Sequence, residues 1–195
     1  MYTNPQNKKI FQKNQIISAD RRRKNLGELY KPTVPQRFVE HGPKLEPGYF
    51  TCQAKKCDTC KHGKNTKSIT SPWDGRTWNI RQHLTCSSKN VIYVLKCKIH
   101  PKLLYVGSTK NLKSRWANHK SDTKLKKNTK CTVSKQVNTL PHPDSKDLDY
   151  LEIIAIDSVQ EEQSLLRKEI FWICNLGTLF QGLNTRQDVH TVHRR

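Results

Sequence analysis

Acidic residues are scarce in this chain: 16 Asp and Glu stand against 36 Lys and Arg, a formal net charge of +20 over 195 residues. Such an imbalance favours polyanionic partners, above all nucleic acid, through neutralisation of phosphates. Apolar residues are also in short supply, at 34%, so the whole length is not expected to share one core. The length suits one domain, or a small domain with an appendage. No apolar run approaches the roughly 20 residues that a membrane span needs. The N-terminal stretch MYTNPQNKKIFQKN lacks the apolar segment of a secretory signal. These absences predict an intracellular chain with no membrane partner. The seven cysteines are an odd number without an export signal, and read as reduced thiols and metal ligands rather than a disulfide framework.

The charge is unevenly spread. Lys96 to Lys135 holds twelve Lys or Arg and one acid, Asp122, whereas Asp144 to Glu169 holds eight acids and three Lys or Arg. A basic block followed by an acidic one suits a phosphate-binding wall facing a carboxylate that holds a metal. Residues 1–47 are polar and contain the run Arg21, Arg22, Arg23 and Lys24. They read as a basic flexible arm or linker.

Residues 48–89 carry Cys52, Cys57, Cys60 and Cys86 with His62 and His83. Cys57-x-x-Cys60 is a zinc half-site, because its turn points both sulfurs at one ion. Cys52 and Cys86 complete a four-cysteine site, with His83 as the alternative ligand and His62 a weaker one. So small a segment holds itself together poorly by apolar burial, and zinc would supply the missing stabilisation. Trp73 and Trp78 flank Asp74-Gly75, a hairpin signal. Cys97, Cys131 and Cys174 lie outside the block and read as packing residues or idle thiols.

From Val91 the pattern turns to strand. Val91, Tyr93 and Leu95 share one face, with Ile92 and Val94 on the other, so the strand is buried on both sides. Leu103 to Gly107 is a second strand, joined through a turn at Pro101 so short that the pair must be antiparallel. Ser108 to Asn111 offers a helix N-cap, and Leu112 to about Ser121 reads as helix. A short helix is expected near Val133 to Leu140 and a third strand at Tyr150 to Ile156. A helix follows from Gln160 to about Asn175, with Leu165, Leu166, Ile170 and Ile173 as its apolar stripe. The remainder reads as loop, and no internal repeat is present.

This framework gathers a reactive set. Tyr93 and Tyr105 point to one face of the antiparallel pair. Arg115 and His119, four apart, share a helix face. Arginine holds phosphate oxygens bidentately, and histidine relays protons near neutral pH. Glu169 lies at helical spacing from Leu165, Leu166, Trp172 and Ile173, where a carboxylate is costly unless paired or metal-bound. One hard oxygen ligand that leaves the rest of the shell to water and phosphate suits Mg²⁺. Glu162, earlier on the same helix, is the rival for that role. Each residue alone has an ordinary reading as packing or surface; their order together gives the set its meaning.

That order resembles the GIY-YIG nuclease family. The first signature is Val91-Ile92-Tyr93 and the second Tyr105-Val106-Gly107. The helix arginine corresponds to Arg115 in LKSRW, the following His to His119 in NHKSD, the metal-binding glutamate to Glu169 in RKEIFWI and the late asparagine to Asn184 in GLN. Val91 in place of Gly and Val106 in place of Ile depart from the pattern without removing a chemical group. The resemblance implies an α+β fold, a small antiparallel sheet of about three strands flanked by helices, here preceded by the cysteine-rich zinc-binding segment. It implies a catalytic set of Tyr93, Tyr105, Arg115, His119, Glu169 and Asn184, with Glu169 holding Mg²⁺. Lys110, Lys113 and Lys120 are the expected nucleic-acid contacts.

Over residues 40–188 the cysteine block with NVIYVLKC, YVGSTKNLKSRWANHKSD and CNLGTLFQGLNTR resembles the endonuclease region of Penelope-like retroelements. That implies the C-terminal part of such an element, or an orphan copy, with DNA as substrate, a reverse transcriptase in cis or in trans, and a nuclear location. The expected organisation is an arm over 1–47, a zinc segment over 48–89, a nuclease domain over 90–188 and a tail over 189–195. The expected activity is that of a metal-dependent DNA nickase. The alternative is a catalytically inactive zinc-containing nucleic-acid-binding module, a relic of a mobile element. A zinc-organised protein-interaction module would leave the charge unexplained.

Overall fold

The computed structural model describes residues 45–52, 54–125, 132–141 and 148–190. The basic run Arg21–Lys24 and Cys131 lie outside the described residues. Lys44–Arg195 form one compact unit, so the cysteine-rich segment and the region expected to be the nuclease are parts of one body.

Three strands make the central sheet: β5 (Lys89–Cys97), β6 (Leu104–Asn111) and β7 (Leu151–Ser158), in the order β6-β5-β7 with both pairings antiparallel. Val91 to Leu95 are at most 1% exposed, as expected of a central strand made of branched and aromatic residues on both faces. The second and third strands run further than the sequence suggests. The polar Ser108, Thr109, Lys110 and Asn111 continue the β6 ladder, which Asn111 leaves paired with Lys89. Asn111 then caps helix α2 (Leu112–Lys124), its Oδ1 accepting a bond from Ser114 N at 3.1 Å. Leu112, Trp116, His119 and Thr123 are its buried residues, a spacing of one helical face. A further helix, α3 (Thr132–Thr139), packs on α2.

Helix α4 (Leu165–Asn175) follows a single 3-10 turn at Glu162–Ser164. Its buried residues are Leu165, Glu169, Trp172 and Ile173. The expected stripe differs in part: Leu166 and Ile170 are only half-buried, and Glu169 and Trp172 take the central places. Strand alternation separates the two helices. Tyr93 pairs with Gly107 and Leu95 with Tyr105, while Ile92 pairs with Ser108, so Tyr93 and Tyr105 face α2 and Ser108 faces α4. The segment after α4 is not all loop; it ends in a short helix α5 (Arg186–His190).

Both edges of the sheet are covered, which removes the open ladder of an edge strand. On β6, Leu183 N donates to Leu104 O at 2.9 Å. Asn184 accepts from Val106 N at 2.9 Å and donates to Val106 O at 2.8 Å. On β7, Ile153 N donates to His62 O at 2.8 Å, and the Gln82 side chain accepts from Ser158 N at 2.9 Å. His62 and Gln82 belong to the cysteine-rich segment, which thus completes the sheet.

That segment contains β1 (Gly48–Phe50) parallel to β4 (His83–Thr85), and the hairpin β2 (Ser68–Thr70) with β3 (Thr77–Asn79). Gly75 takes φ +69° in the turn, the left-handed conformation that glycine adopts without strain. Tyr49, Ile69, Ile80 and Leu84 join the core of the central sheet. The one-turn helix α1 (Asp58–Lys61) abuts α2: Asp58 Oδ2 accepts from Trp116 Nε1 at 3.1 Å, and its carboxylate pairs with Lys120 Nζ at 2.9 and 3.0 Å. The ring of His62 lies 4.5 Å from that of Trp116.

Trp116 is 1% exposed, so its indole N–H depends on Asp58. Asp58→Ala is expected to lower stability by about 1–3 kcal/mol, the cost of a buried donor left without an acceptor. Urea unfolding measures this, and an unchanged midpoint would show that the bond between α1 and α2 contributes nothing.

Candidate active site and cysteine cluster

Three aromatic rings meet between β5, β6 and α2. Tyr93 and Tyr105 have ring centroids 6.3 Å apart, and His119 lies 5.8 Å from the first and 6.1 Å from the second. The hydroxyl of Tyr93 sits 2.8 Å from His119 Nε2 and accepts a bond from Arg115 Nε at 2.8 Å. Arginine can only donate, and the phenol has one proton, so the arrangement suits a Tyr93 O–H that donates to a neutral His119. Burial pushes the His119 pKa down to about 3, and the Arg115 charge adds to the effect. Burial raises Tyr105 far above the ordinary tyrosine range, and the neighbouring Tyr93, Asp188 and Glu169 reinforce it.

Gly107 makes this convergence possible. A Cβ there would lie 2.5 Å from the Tyr93 hydroxyl and 2.8 Å from the Tyr105 ring, so no side chain fits between the two tyrosines.

Glu169 reaches the site from the other face of β6. Its Oε2 accepts from Ser108 Oγ at 2.6 Å, and the residue is 9% exposed. Burial raises its pKa; the Ser108 bond and Arg115 oppose the rise, and Asp188 on α5 adds to it. Neither Ser108, read from the sequence only as part of a helix cap, nor Asp188 is among the expected site residues. Strand alternation from Tyr105 and Gly107 is enough to send Ser108 to the α4 side. No comparable signal announces Asp188, whose place depends on the path of the chain after α4.

The other expected residues divide. Asn184 accepts from Val106 N and donates to Val106 O, and so holds β6 in place. Glu162 lies on the 3-10 turn and pairs with Lys110 Nζ at 2.6 Å, outside the Tyr93–Glu169 group. Lys110 and Lys113 are exposed, whereas Lys120 is bound to Asp58.

The four thiols of Cys52, Cys57, Cys60 and Cys86 lie within 4.8 Å of one another. Cys52 and Cys60 Sγ are 3.4 Å apart, and Cys57 and Cys86 Sγ 3.7 Å. Four zinc–sulfur bonds of about 2.3 Å in a tetrahedron set sulfurs roughly 3.8 Å apart, so the donors fit one ion. A second observation agrees. The Tyr49 hydroxyl is buried with no hydrogen-bond partner, and its pKa is raised by burial first and then by the nearby cysteines of this group; sulfurs made into thiolates by a metal would be acceptors for it. Neither histidine rival has a ring nitrogen in this group of converging donors; His83 Nδ1 lies 2.9 Å from Glu46 O and His62 Nδ1 3.3 Å from Leu151 O. Cys97 is buried and Cys174 exposed.

Residues 89–184 match the family model of the GIY-YIG catalytic domain, and the antiparallel sheet with its flanking helices is the GIY-YIG fold. Among solved structures, the catalytic domain of the homing endonuclease I-TevI aligns at 24% identity over 49% of this chain and 97% of that one, with a TM-score of 0.41. No curated protein matches the chain significantly.

The depressed His119 pKa has a consequence for stability. In the unfolded chain His119 takes up a proton near its ordinary 6.5, whereas in the fold it does so only near 3. Its contribution is therefore complete above that ordinary value and is lost as pH falls toward the folded one. The denaturation midpoint of the wild type should fall more steeply between these two pH values than that of His119→Gln. Glu169 titrates in both proteins, so the comparison isolates the histidine. Parallel profiles would mean that His119 takes up its proton as readily in the fold as in the unfolded chain.

Proposed function

We propose that the chain is a metal-dependent DNA endonuclease that cuts one strand at a time. The observation that carries this reading is the Tyr93 hydroxyl held between Arg115 and a neutral His119, with the buried Glu169 carboxylate approaching from the opposite helix. Hydrolysis of a phosphodiester needs a cation on the phosphoryl oxygens and a route for the proton of the attacking water. Arg115 supplies the cation. Tyr93 and His119 form the proton route: once Arg115 turns from the buried Tyr93 hydroxyl to a bound phosphate, that hydroxyl can take a proton from the attacking water as it passes its own to His119 Nε2. A bound phosphate would offset the Arg115 charge that helps depress His119, and so would make the imidazole a better acceptor when substrate is present. Tyr105, 8% exposed where Tyr93 is fully buried, is the tyrosine nearer the solvent and the substrate. Glu169 would hold a Mg²⁺ ion, which would polarise the phosphoryl group and favour departure of the leaving oxygen. A carboxylate that burial pushes toward its neutral form regains its charge when paired with a divalent cation.

Lys110 and Lys113 fit phosphate contacts beside this centre. The exposed Lys110–Glu162 pair is weak enough to be exchanged for a phosphate. Lys120 instead ties α2 to α1. Cys52, Cys57, Cys60 and Cys86 would hold a structural zinc, as their spacing and the orphaned Tyr49 hydroxyl support. No helix among the described residues is long and apolar enough to cross a membrane. The residues that resemble Penelope-like retroelements support an endonuclease of that class, working with a reverse transcriptase in cis or in trans, in the nucleus. Packing of the cysteine segment against the nuclease sheet accords with the two having been kept together.

The test is nicking of supercoiled plasmid with Mg²⁺ and with chelator. Open-circle product should need the metal and fall by about 10²-fold or more in Glu169→Ala and Arg115→Ala, the scale of losing one electrostatic contact to a transition state. Full nicking by either variant would sink the assignment. Tight salt-sensitive DNA binding without nicking would favour the relic binding module. The purified chain should also carry about one zinc atom by elemental analysis. Cys57→Ser should lose that zinc and unfold at lower temperature; a wild type free of zinc with the same melting temperature as Cys57→Ser would contradict the metal site.

A further inference from the structure

A cleft of about 450 Å³ opens on the other flank of α4, between that helix, the end of β7 and strand β3. Its walls carry an aromatic ladder. The ring of Phe171 meets Trp172 at 5.6 Å, and Trp172 meets Trp78 of β3 at 6.4 Å, both edge to face. Phe171 is 50% exposed, Trp78 half-buried, and Trp172 forms the floor. Cations lie at each end: Lys168 Nζ stands 5.4 Å from the Phe171 ring centre and the Arg76 guanidinium 6.0 Å from that of Trp78. Arg81 is an exposed part of the wall.

The catalytic reading uses none of these groups, and packing alone leaves Phe171 unexplained. Phe171 does not stand alone: with Trp172 and Trp78 it makes a contiguous aromatic surface, the kind that marks a binding site. The covering group must tolerate cations at the rim and offer flat apolar faces. Unpaired nucleobases meet both demands, since every base has a π face and the strand brings phosphates to the rim. Bases within a duplex are already stacked and cannot enter such a cleft.

We propose that this cleft binds unpaired nucleotides of single-stranded DNA, stacked on Phe171 and Trp78, with Arg81 contacting the strand's phosphate. The charges set the character of the site. Asp157 pairs with Lys168 at 3.0 Å and also accepts from Trp172 Nε1 at 2.9 Å, and Asp74 pairs with Arg76. Two of the three cations are thus largely neutralised, and the rings rather than the charges supply the affinity. Lys168 is the chain neighbour of Glu169, so one helix, roughly 10–12 Å across, separates the cleft from the proposed cutting centre. A strand that frays at a nick can span that distance. The link between cleft and cut strand rests on the nuclease reading; the binding of single strands does not.

The experiment measures binding of a fluorescent thymidine decamer and of a blunt duplex, in chelator and over a range of salt. It compares the full chain with Phe171→Ala/Arg81→Ala and with Phe171→Tyr. Both substituted positions are at the surface, so the fold should survive. Expected is a loss of about tenfold for the decamer in the double variant, with duplex affinity within twofold of wild type and near-normal decamer binding in Phe171→Tyr. The decamer should also show a shallower salt dependence than the duplex. Decamer binding unchanged in the double variant, or decamer and duplex weakened by one common factor, overturns the proposal. A uridine decamer bound as tightly as the thymidine one through Phe171 would overturn its assignment to DNA. A chain that binds the decamer through Phe171 yet never nicks plasmid would refute the nuclease reading and uphold this one.

Discussion

Everything at the candidate centre depends on the close approach of two tyrosines across a glycine. Tyr93 and Gly107 are partners in the β5–β6 ladder, and only a residue without Cβ leaves room there for the Tyr93 hydroxyl. That gap lets the hydroxyl reach past β6 to His119 and Arg115 on α2. Once it is engaged, the helix is fixed in rotation: residues 115 and 119 must face the sheet, and Trp116 is then directed at the cysteine-rich segment. A side chain at position 107 would separate these groups together rather than one at a time.

The cysteine segment extends the same constraint. Through Asp58, α1 holds Trp116 and Lys120 on the helix that carries Arg115 and His119. Through His62 and Gln82 the segment covers the edge of β7. A metal on the four sulfurs would therefore act on the geometry of the candidate centre without touching it. Asn184 does the equivalent on the opposite edge of the sheet, by holding the backbone of Val106 one residue from Gly107.

Much of this arrangement was legible in the residues. The three strands, the capped helix after Asn111 and the helix around Glu169 follow from alternation, capping and apolar spacing, which are local. The convergence of Tyr93, Tyr105, Arg115 and His119 follows from the antiparallel pairing together with a four-residue helical spacing. What sequence reasoning missed is non-local. The pairing of Asn184 with Val106, the approach of Asp188, and the covering of β7 by His62 depend on where the chain returns after long excursions. The boundary drawn at residue 89 reflects composition, which changes there, while Tyr49, Leu84 and Ile80 show that the core does not. Glu162 illustrates the limit of periodicity: it lies one helical turn or two from Glu169 only if the helix starts early, and the 3-10 turn removes it from that face.

The central proposal is that a scissile phosphate is held by Arg115 and Tyr105 and meets Glu169 through a bound divalent ion. A crystal structure with a short DNA duplex and Ca²⁺, a divalent ion chosen to bind without promoting cleavage, tests this most directly. The expected result is a phosphate contacting Arg115 and an ion bound to Glu169 that also contacts that phosphate. DNA lying elsewhere on the surface, with Arg115 still closed over Tyr93 and no ion at Glu169, would contradict it.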